Sequence, residues 1–476
     1  MASHSTLLPR TAPSAAGLPA SAINALLDRL EAESLECHSL MVIHHGHVVA
    51  EGWWEPYAAD RPHLLYSLTK SFVSVATGIA IDDGLLSLED RVVDLLPDHV
   101  PTDASERVHR LTVHHLLSMT AGHAADSLDE AWQLEPDDLA KGFLRVPFPK
   151  PEGTWHAYDN PTTYTLARIV ERVTGRDLPG FLEERLFAPM GIEHAEWDRV
   201  SSGAVFGFTG LHLTTEAVAA FGELLLREGR WGDQQLVSAE WIRLATSWHV
   251  ATQQIEGWSE SPDALCGYGY QFWISRHGYR ADGAFGQYCL VVPAHDLVVV
   301  LTSSVVDGGA LISAVWDCLL PDVDREGSDE DDARLAERLR GLALTPVAGS
   351  AEPGRIAAAT LDASDENSAL AHGSPVHVEP TAHGWTVRLG SGLDVEVGNG
   401  EWRESSPLGR PAVASGGWQG DRFVAEIRVI TTPHTVKLAL DADSGTATAT
   451  WVTPPLTNQS LEVQLRSPLM TRPDVA

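Results

Sequence analysis

The stretch Ser71 to Gly84, SFVSVATGIAIDDG, constrains the chain more than any other. It is apolar on nearly every side of a helix, and a helix of that kind has to be buried. Gly84 suits the C-cap that closes it. Immediately before it stands Ser67-Leu-Thr-Lys70, one of only four lysines in the chain, the others being Lys141, Lys150 and Lys437. Ser67 and Lys70 therefore start a core helix on one face. A serine hydroxyl attacks poorly without a neighbouring base. A helix N-terminus offers free N–H groups and partial positive charge, and a lysine one turn on adds more. An N-cap serine followed by a solvated first-turn lysine satisfies the same four residues, so this motif does not decide alone.

Two further segments carry chemistry. Tyr158-Asp-Asn160 lies on a loop entering a helix, where Tyr158 and Asn160 can face one cleft. A tyrosine serves as a base only if nearby cations lower its pKa from about 10, and Lys70 is the expected cation. A plain turn through Asp159, Asn160 and Pro161 fits these residues as well. Ala281-Asp-Gly283-Ala284 leads towards a strand through Phe285-Gly-Gln287. A glycine at a strand edge permits close backbone approach, as an oxyanion hole needs. A simple hairpin turn is the alternative.

Composition narrows the class. The 476 residues hold 33 Lys+Arg and 65 Asp+Glu, a formal charge of −32, with 44% hydrophobic residues. This is a globular composition, long enough for two or three domains. The acidity argues against nucleic acid and anionic membranes as partners. Cys37, Cys266, Cys289 and Cys318 are scattered and read as buried thiols of a reducing compartment. With no apolar run of spanning length and no signal-peptide pattern at the start, the expectation is a cytoplasmic chain.

The organisation reads as α+β. An amphipathic helix over 18–34 precedes a hairpin, Ser39–Ile43 and His47–Trp53, turning at His44-His45-Gly46. The middle, about 85–250, is mostly helical. Strands return over 268–306 at Tyr268–Ile274, Tyr288–Val292 and Leu297–Leu301, followed by a helix over 310–320. This predicts an antiparallel sheet flanked by helices with a mostly helical lobe over 1–321. An acidic linker and short helix occupy 322–349. Period-two alternation from 350 to 476 predicts a β-rich sandwich or barrel domain.

Taken together, the three segments resemble the serine β-lactamase and penicillin-binding-protein superfamily, in its class C β-lactamase-like branch. Esterases, D-aminopeptidases and nylon-oligomer hydrolases belong to that group. The likeness rests on Leu64-Leu-Tyr-Ser-Leu-Thr-Lys-Ser-Phe72, Ile81-Asp-Asp-Gly-Leu-Leu-Ser-Leu-Glu-Asp90 and Leu111-Thr-Val-His-His-Leu-Leu-Ser-Met-Thr-Ala-Gly122. It continues in Tyr158-Asp-Asn160, Val173-Thr-Gly175 and Gly286-Gln-Tyr-Cys-Leu-Val-Val-Pro293, covering about residues 8–320. It implies a nucleophile at Ser67, its lysine at Lys70, a tyrosine base at Tyr158 and a partner amide at Asn160. The third motif departs: the superfamily's Lys-Thr-Gly or His-x-Gly reads Ala281-Asp282-Gly283. The glycine survives and the cation does not, which is expected to weaken penicillin-type binding. Oxyanion donors would be the N–H groups of Ser67 and Ala284, and Asp282 would line the acyl pocket, favouring neutral or cationic substrates.

The resulting expectation is a serine hydrolase of carboxylesterase or amidase type, needing no cofactor and acting on a small-molecule ester or amide. A homo-oligomer is compatible with this reading. β-Lactamase or D-amino-acid peptidase activity ranks second, and a non-catalytic scaffold keeping the fold is the rival from another class. His44, His45 and His47 are set aside as a metal site because no carboxylate or cysteine accompanies them. Asp322-x-Asp324-x-Glu326-Gly327 begins like a calcium loop but has Ala333 where the bidentate glutamate belongs, so it reads as linker.

Overall fold

The computed structural model describes residues 6–200, 202–253, 261–350, 355–362, 366–468 and 470–471. The chain forms two compact units. The first comprises Met1–Gly52, Leu65–Trp197 and Ala204–Gly341; the second comprises Trp53–Leu64, Asp198–Gly203 and Leu342–Ala476.

The first unit is built on a six-stranded sheet. Its order is His47–Trp53, Cys37–His44, Leu297–Ser303, Gln287–Val292, Gly278–Gly283 and Trp273–Ser275. The Cys37–His44 strand thus pairs antiparallel with Leu297–Ser303, with Leu40 opposite Leu301 and His44 opposite Leu297. Strands from the two ends of the unit meet in the middle of the sheet, as expected. Helix Thr215–Leu226 lies on the sheet, and helices Ala20–Ala32 and Gly308–Leu319 pack on each other. Helix Thr69–Asp82 is buried at every residue from Thr69 to Ala80. Phe72 stacks on Phe221 with ring centroids 3.9 Å apart. The all-round apolar pattern therefore reports burial on every face, as a core helix requires.

Three local readings need correction. Ala281-Asp-Gly283 is not a turn; it ends a strand, Gly278–Gly283, that pairs with Gln287–Val292. The sequence hides this strand because Arg280 and Asp282 interrupt its apolar alternation, and they are ion-paired to each other at 2.8 Å. The continuous strand of the preceding segment is only Trp273–Ser275, and Tyr268 makes isolated antiparallel bridges to Val250 and Trp273. The charged helix also starts earlier, at Asp329, where the Ser328 hydroxyl accepts a hydrogen bond from the Asp331 N–H as its cap. This helix, Asp329–Arg340, belongs to the first unit: Arg338 pairs with Asp28 and Glu31.

The second unit is a closed eight-stranded barrel. Strands Leu393–Gly398, Gly384–Leu389, Pro375–Thr381, Ala357–Leu361, Thr446–Trp451, Thr435–Asp441, Arg422–Val429 and Ala412–Gln419 follow one another around it. Gly398 pairs with Ser415 to close the ring, and Arg403–Ser405 adds a short outer strand. Eight strands leave an interior that side chains can fill; Trp385, Trp418 and Phe423 are all buried in its core. Two short segments from the first half of the sequence join this unit. Tyr57 packs with Val413 and Ile430, and Asp198 forms a buried ion pair with Arg410 at 2.7 Å.

Cys37 and Cys289 are buried free thiols, whereas Cys266 and Cys318 are partly exposed. Among the described residues, no helix is long and apolar enough to cross a membrane.

Candidate active site

Ser67 sits in a single 3-10 turn, Tyr66–Leu68, that runs directly into helix Thr69–Asp82. The residue before it, Tyr66, has φ +50, a left-handed conformation that is unusual for an aromatic residue. Its ring packs edge-on against Phe285 at 5.4 Å, and Phe285 also has a positive φ, +63. Gly283 explains how the strand comes so near. A Cβ there would lie 2.1 Å from the Leu65 carbonyl oxygen, so only glycine permits this approach. Ala284 follows it at the start of the turn between the strands Gly278–Gly283 and Gln287–Val292.

Lys70, one helical turn on, is 1% exposed. Its Nζ donates to Ser67 Oγ at 2.7 Å, Asn160 Oδ1 at 2.8 Å and the Phe208 carbonyl at 2.9 Å. Burial disfavours the charged amine and pushes its pKa down to about 7, against the opposing pull of Asp126, Asp282 and Asp159.

Tyr158 lies in the loop before helix Asn160–Thr174. Its ring is 4.8 Å from Lys70 Nζ and stacks on Trp273 at 5.4 Å. It shares side-chain hydrogen bonds with Ser67 and Trp273. The structure thus brings Ser67, Lys70, Tyr158 and Asn160 together. The expected electrostatics of Tyr158 are overturned, however. Burial raises its pKa above the ordinary tyrosine value, Asp282 and Asp126 raise it further, and the hydrogen bond with Ser67 opposes them. Desolvation acts on both members of the pair, so the amine loses its proton before the phenol does.

Asp282 also differs from expectation. It is not a lone pocket carboxylate: Arg280 Nε donates to its Oδ2 at 2.8 Å. Burial raises its pKa while Arg280 and Lys70 lower it. A cation thus stands one residue before the third motif, although Arg280 is itself buried and bonded to the Asp263 and Ile274 carbonyls and to Ser275 Oγ.

Sequence reasoning missed Asp126 and Trp273. Asp126 accepts from Asn160 Nδ2 at 2.6 Å and from the Asn160 backbone N–H at 3.0 Å. It fixes the amide so that Oδ1 faces Lys70. Desolvation, with Asp159 adding to it, raises the Asp126 carboxyl to about 6, a shift that its exposed edge moderates. Asp159 is occupied by Ser127 and His123. No spacing rule points to Asp126, which reaches the site through a loop rather than a helix face.

The sequence profile of the beta-lactamase family matches residues 23–311, more than half of the chain. The chain belongs to the beta-lactamase family. Among similar proteins, penicillin-binding protein 4 of Amycolatopsis lactamdurans is 28% identical over 350 residues, 65% of this chain and 88% of that protein. The 6-aminohexanoate-dimer hydrolase of Paenarthrobacter ureafaciens is 26% identical over 289 residues, 56% of this chain and 72% of that protein. In fold, the octameric penicillin-binding protein homologue of Pyrococcus abyssi matches with a TM-score of 0.50 at 14% identity, over 88% of this chain and 95% of that one. The expected superfamily and the α+β fold with a C-terminal β domain are thus both found. Hydrolases are thus among the relatives of this beta-lactamase-family chain.

Proposed function

We propose that the protein is a serine hydrolase that cleaves small esters or amides through an acyl-enzyme on Ser67. The observation that carries this reading is the bonding of Lys70. Its Nζ has three partners, two of them carbonyl oxygens, Asn160 Oδ1 and Phe208 O, that can only accept. Once the amine loses a proton, its two remaining N–H groups satisfy both carbonyls, and the Nζ–Oγ hydrogen bond of 2.7 Å reverses, with the Ser67 hydroxyl donating to the Nζ lone pair. That geometry suits proton abstraction, and a pKa of about 7 suits a base working near neutrality.

The reaction follows from these groups. Lys70 takes the Ser67 proton as Oγ bonds to the substrate carbonyl carbon. The carbonyl π electrons move to oxygen, which the N–H groups of Ser67 and Ala284 receive. The intermediate collapses, the C–O or C–N bond breaks, and the protonated Tyr158 hydroxyl gives its proton to the leaving group. The Lys70 ammonium then reprotonates Tyr158. Water attacks the acyl-enzyme, losing its proton to the now neutral Lys70 as Ser67 is released and reprotonated. Tyr158 is therefore an acid and proton relay, with Lys70 as the base. The Asp282–Arg280 pair presents little net charge to the pocket, which supports uncharged substrates ahead of penicillin-type carboxylates. Asp126 acts through Asn160 as a positioning residue.

Intact-mass analysis after incubation with a fluorophosphonate tests the reading. One adduct per chain, located on the peptide containing Ser67, is expected, together with p-nitrophenyl ester turnover faster than that of a chromogenic cephalosporin. An unlabelled wild-type chain would instead support a scaffold that retains the fold.

A further inference from the structure

Two sequence signals that fail separately come together in the first unit. His44 and His45 lack a carboxylate on their own hairpin, and Asp324 belongs to a truncated calcium-like run. In the fold, one ring nitrogen from each histidine and a carboxylate oxygen of Asp324 lie within 4.8 Å of one another. We propose that His44, His45 and Asp324 form a binding site for a divalent transition-metal ion of the Zn2+ class, one that ties the hairpin tip to the segment between helices Gly308–Leu319 and Asp329–Arg340.

The backbone explains how adjacent strand residues face one ion. Side chains alternate along a strand, so neighbours normally point apart. His45 leaves the strand with φ +51 and Gly46 continues at φ +74. This is the left-handed pair of a tight hairpin turn, where asparagine or glycine is usual. The turn swings the His45 ring beside that of His44, with centroids 4.0 Å apart and an interplanar angle of 32°.

His44 supplies the independent observation. It is 0% exposed, and neither of its ring nitrogens has a hydrogen-bond partner. The carbonyls of Ala16 and His295 lie nearby without bonding geometry. A buried imidazole left unbonded is costly, and an ion would satisfy it.

His45 is oriented for the same purpose. Its Nδ1 lies 3.0 Å from Asp296 Oδ2, and Asp296 is held by Arg227 at 2.7 Å. That bond places the proton on Nδ1 and leaves the Nε2 lone pair free, the carboxylate–histidine arrangement that steers metal ligands. Nε2 is 3.9 Å from Asp324 Oδ1. Ligands at about 2.0–2.2 Å from a tetrahedral ion stand roughly 3.4 Å apart, so closure needs only a small shift of the exposed Asp324. Two imidazoles and one carboxylate select a borderline ion over Ca2+ or Mg2+, which favour all-oxygen sites. A water would complete the tetrahedron.

The cluster lies at the Leu297 end of strand Leu297–Ser303, whereas Ser303 hydrogen-bonds Phe285 at the end nearer Ser67. Six residue steps separate these ends, roughly 20 Å. The proposed ion is structural rather than a participant at Ser67.

Equilibrium dialysis of the full chain against ZnCl2, with excess Mg2+ present, tests the site. One tightly held Zn2+ per chain is expected, with at least a tenfold loss of affinity in Asp324→Asn and in His45→Asn. The latter keeps a residue that accepts the left-handed turn. Zn2+ should raise the Tm of the wild type and leave that of both variants unchanged, and their ester turnover should match the wild type. Zn2+ that Mg2+ displaces, or that both variants retain, would mark diffuse binding to an acidic surface and overturn the proposal. So would the absence of binding to the wild type.

Discussion

Ser67→Ala is expected to lower kcat for an ester substrate on the order of 10^4 to 10^6-fold while leaving the fold unchanged. Removing the nucleophile of a hydroxyl–base unit eliminates the acyl-enzyme route, and only binding and oxyanion stabilisation remain. The substitution deletes one oxygen from a half-buried turn whose conformation is held elsewhere. Tyr66 is braced by Phe285, and the Gly283 backbone presses on Leu65. The Tm is therefore expected to move little, and KM should change less than kcat. Stopped-flow mixing with p-nitrophenyl acetate checks this: the variant should show no burst and only a small residual steady-state rate above the uncatalysed one. A variant that kept more than about one-hundredth of wild-type turnover would remove Ser67 from the reaction.

Lys70→Ala carries the second large effect, a loss on the order of 10^3-fold, within the range that a general base contributes. The loss should fall on acylation, because the substitution removes the group that accepts the serine proton and leaves the oxyanion donors in place. It also strips Asn160 Oδ1 and the Phe208 carbonyl of their shared donor, so some stability is lost as well. Tyr158→Phe separates base from relay. It keeps the ring stacked on Trp273 and removes only the proton donor, so substrates with poor leaving groups should suffer most and activated esters least. Single-turnover rates on a series of phenyl esters check this, with a steeper dependence on leaving-group pKa expected in Tyr158→Phe.

What the sequence made legible follows from where side chains act locally. Helix Thr69–Asp82 could be read because its burial is written in every position from Thr69 to Ala80, and the hairpin because its strands flank a histidine–glycine turn. Ser67, Lys70, Tyr158 and Asn160 stood out through spacing and resemblance. Long-range pairing stayed hidden. Strand Gly278–Gly283 looked like a turn because Arg280 and Asp282 satisfy each other. The eight barrel strands alternate unevenly, and Ala412–Gln419, with its adjacent glycines, gave no strand pattern although nearly all of it is buried. The second unit's recruitment of Trp53–Leu64 and Asp198–Gly203 rests on contacts such as Asp198–Arg410, which no local pattern announces.

The electrostatics were the least legible part. Sequence identifies Lys70 as a cation able to acidify Tyr158. It does not reveal that the amine itself is 1% exposed and bonded to two carbonyls. Desolvation then outweighs the three nearby carboxylates at Lys70 and lowers its pKa, while burial raises that of Tyr158. Asp126 was invisible for a similar reason, since its importance lies in one amide it holds.

The pH dependence of Ser67 acylation by a fluorophosphonate tests the central claim most directly. Lys70, at a pKa of about 7, is charged and inactive below that pH and neutral above it. The rate should therefore rise from pH 5.5 to 8.5 with a single midpoint near 7, then stay level while Tyr158 remains protonated. Asp126 raises the Lys70 pKa, so Asp126→Asn should move the midpoint lower. A rate that is flat across this range, or whose midpoint lies near 10 and disappears in Tyr158→Phe, would contradict Lys70 as the base.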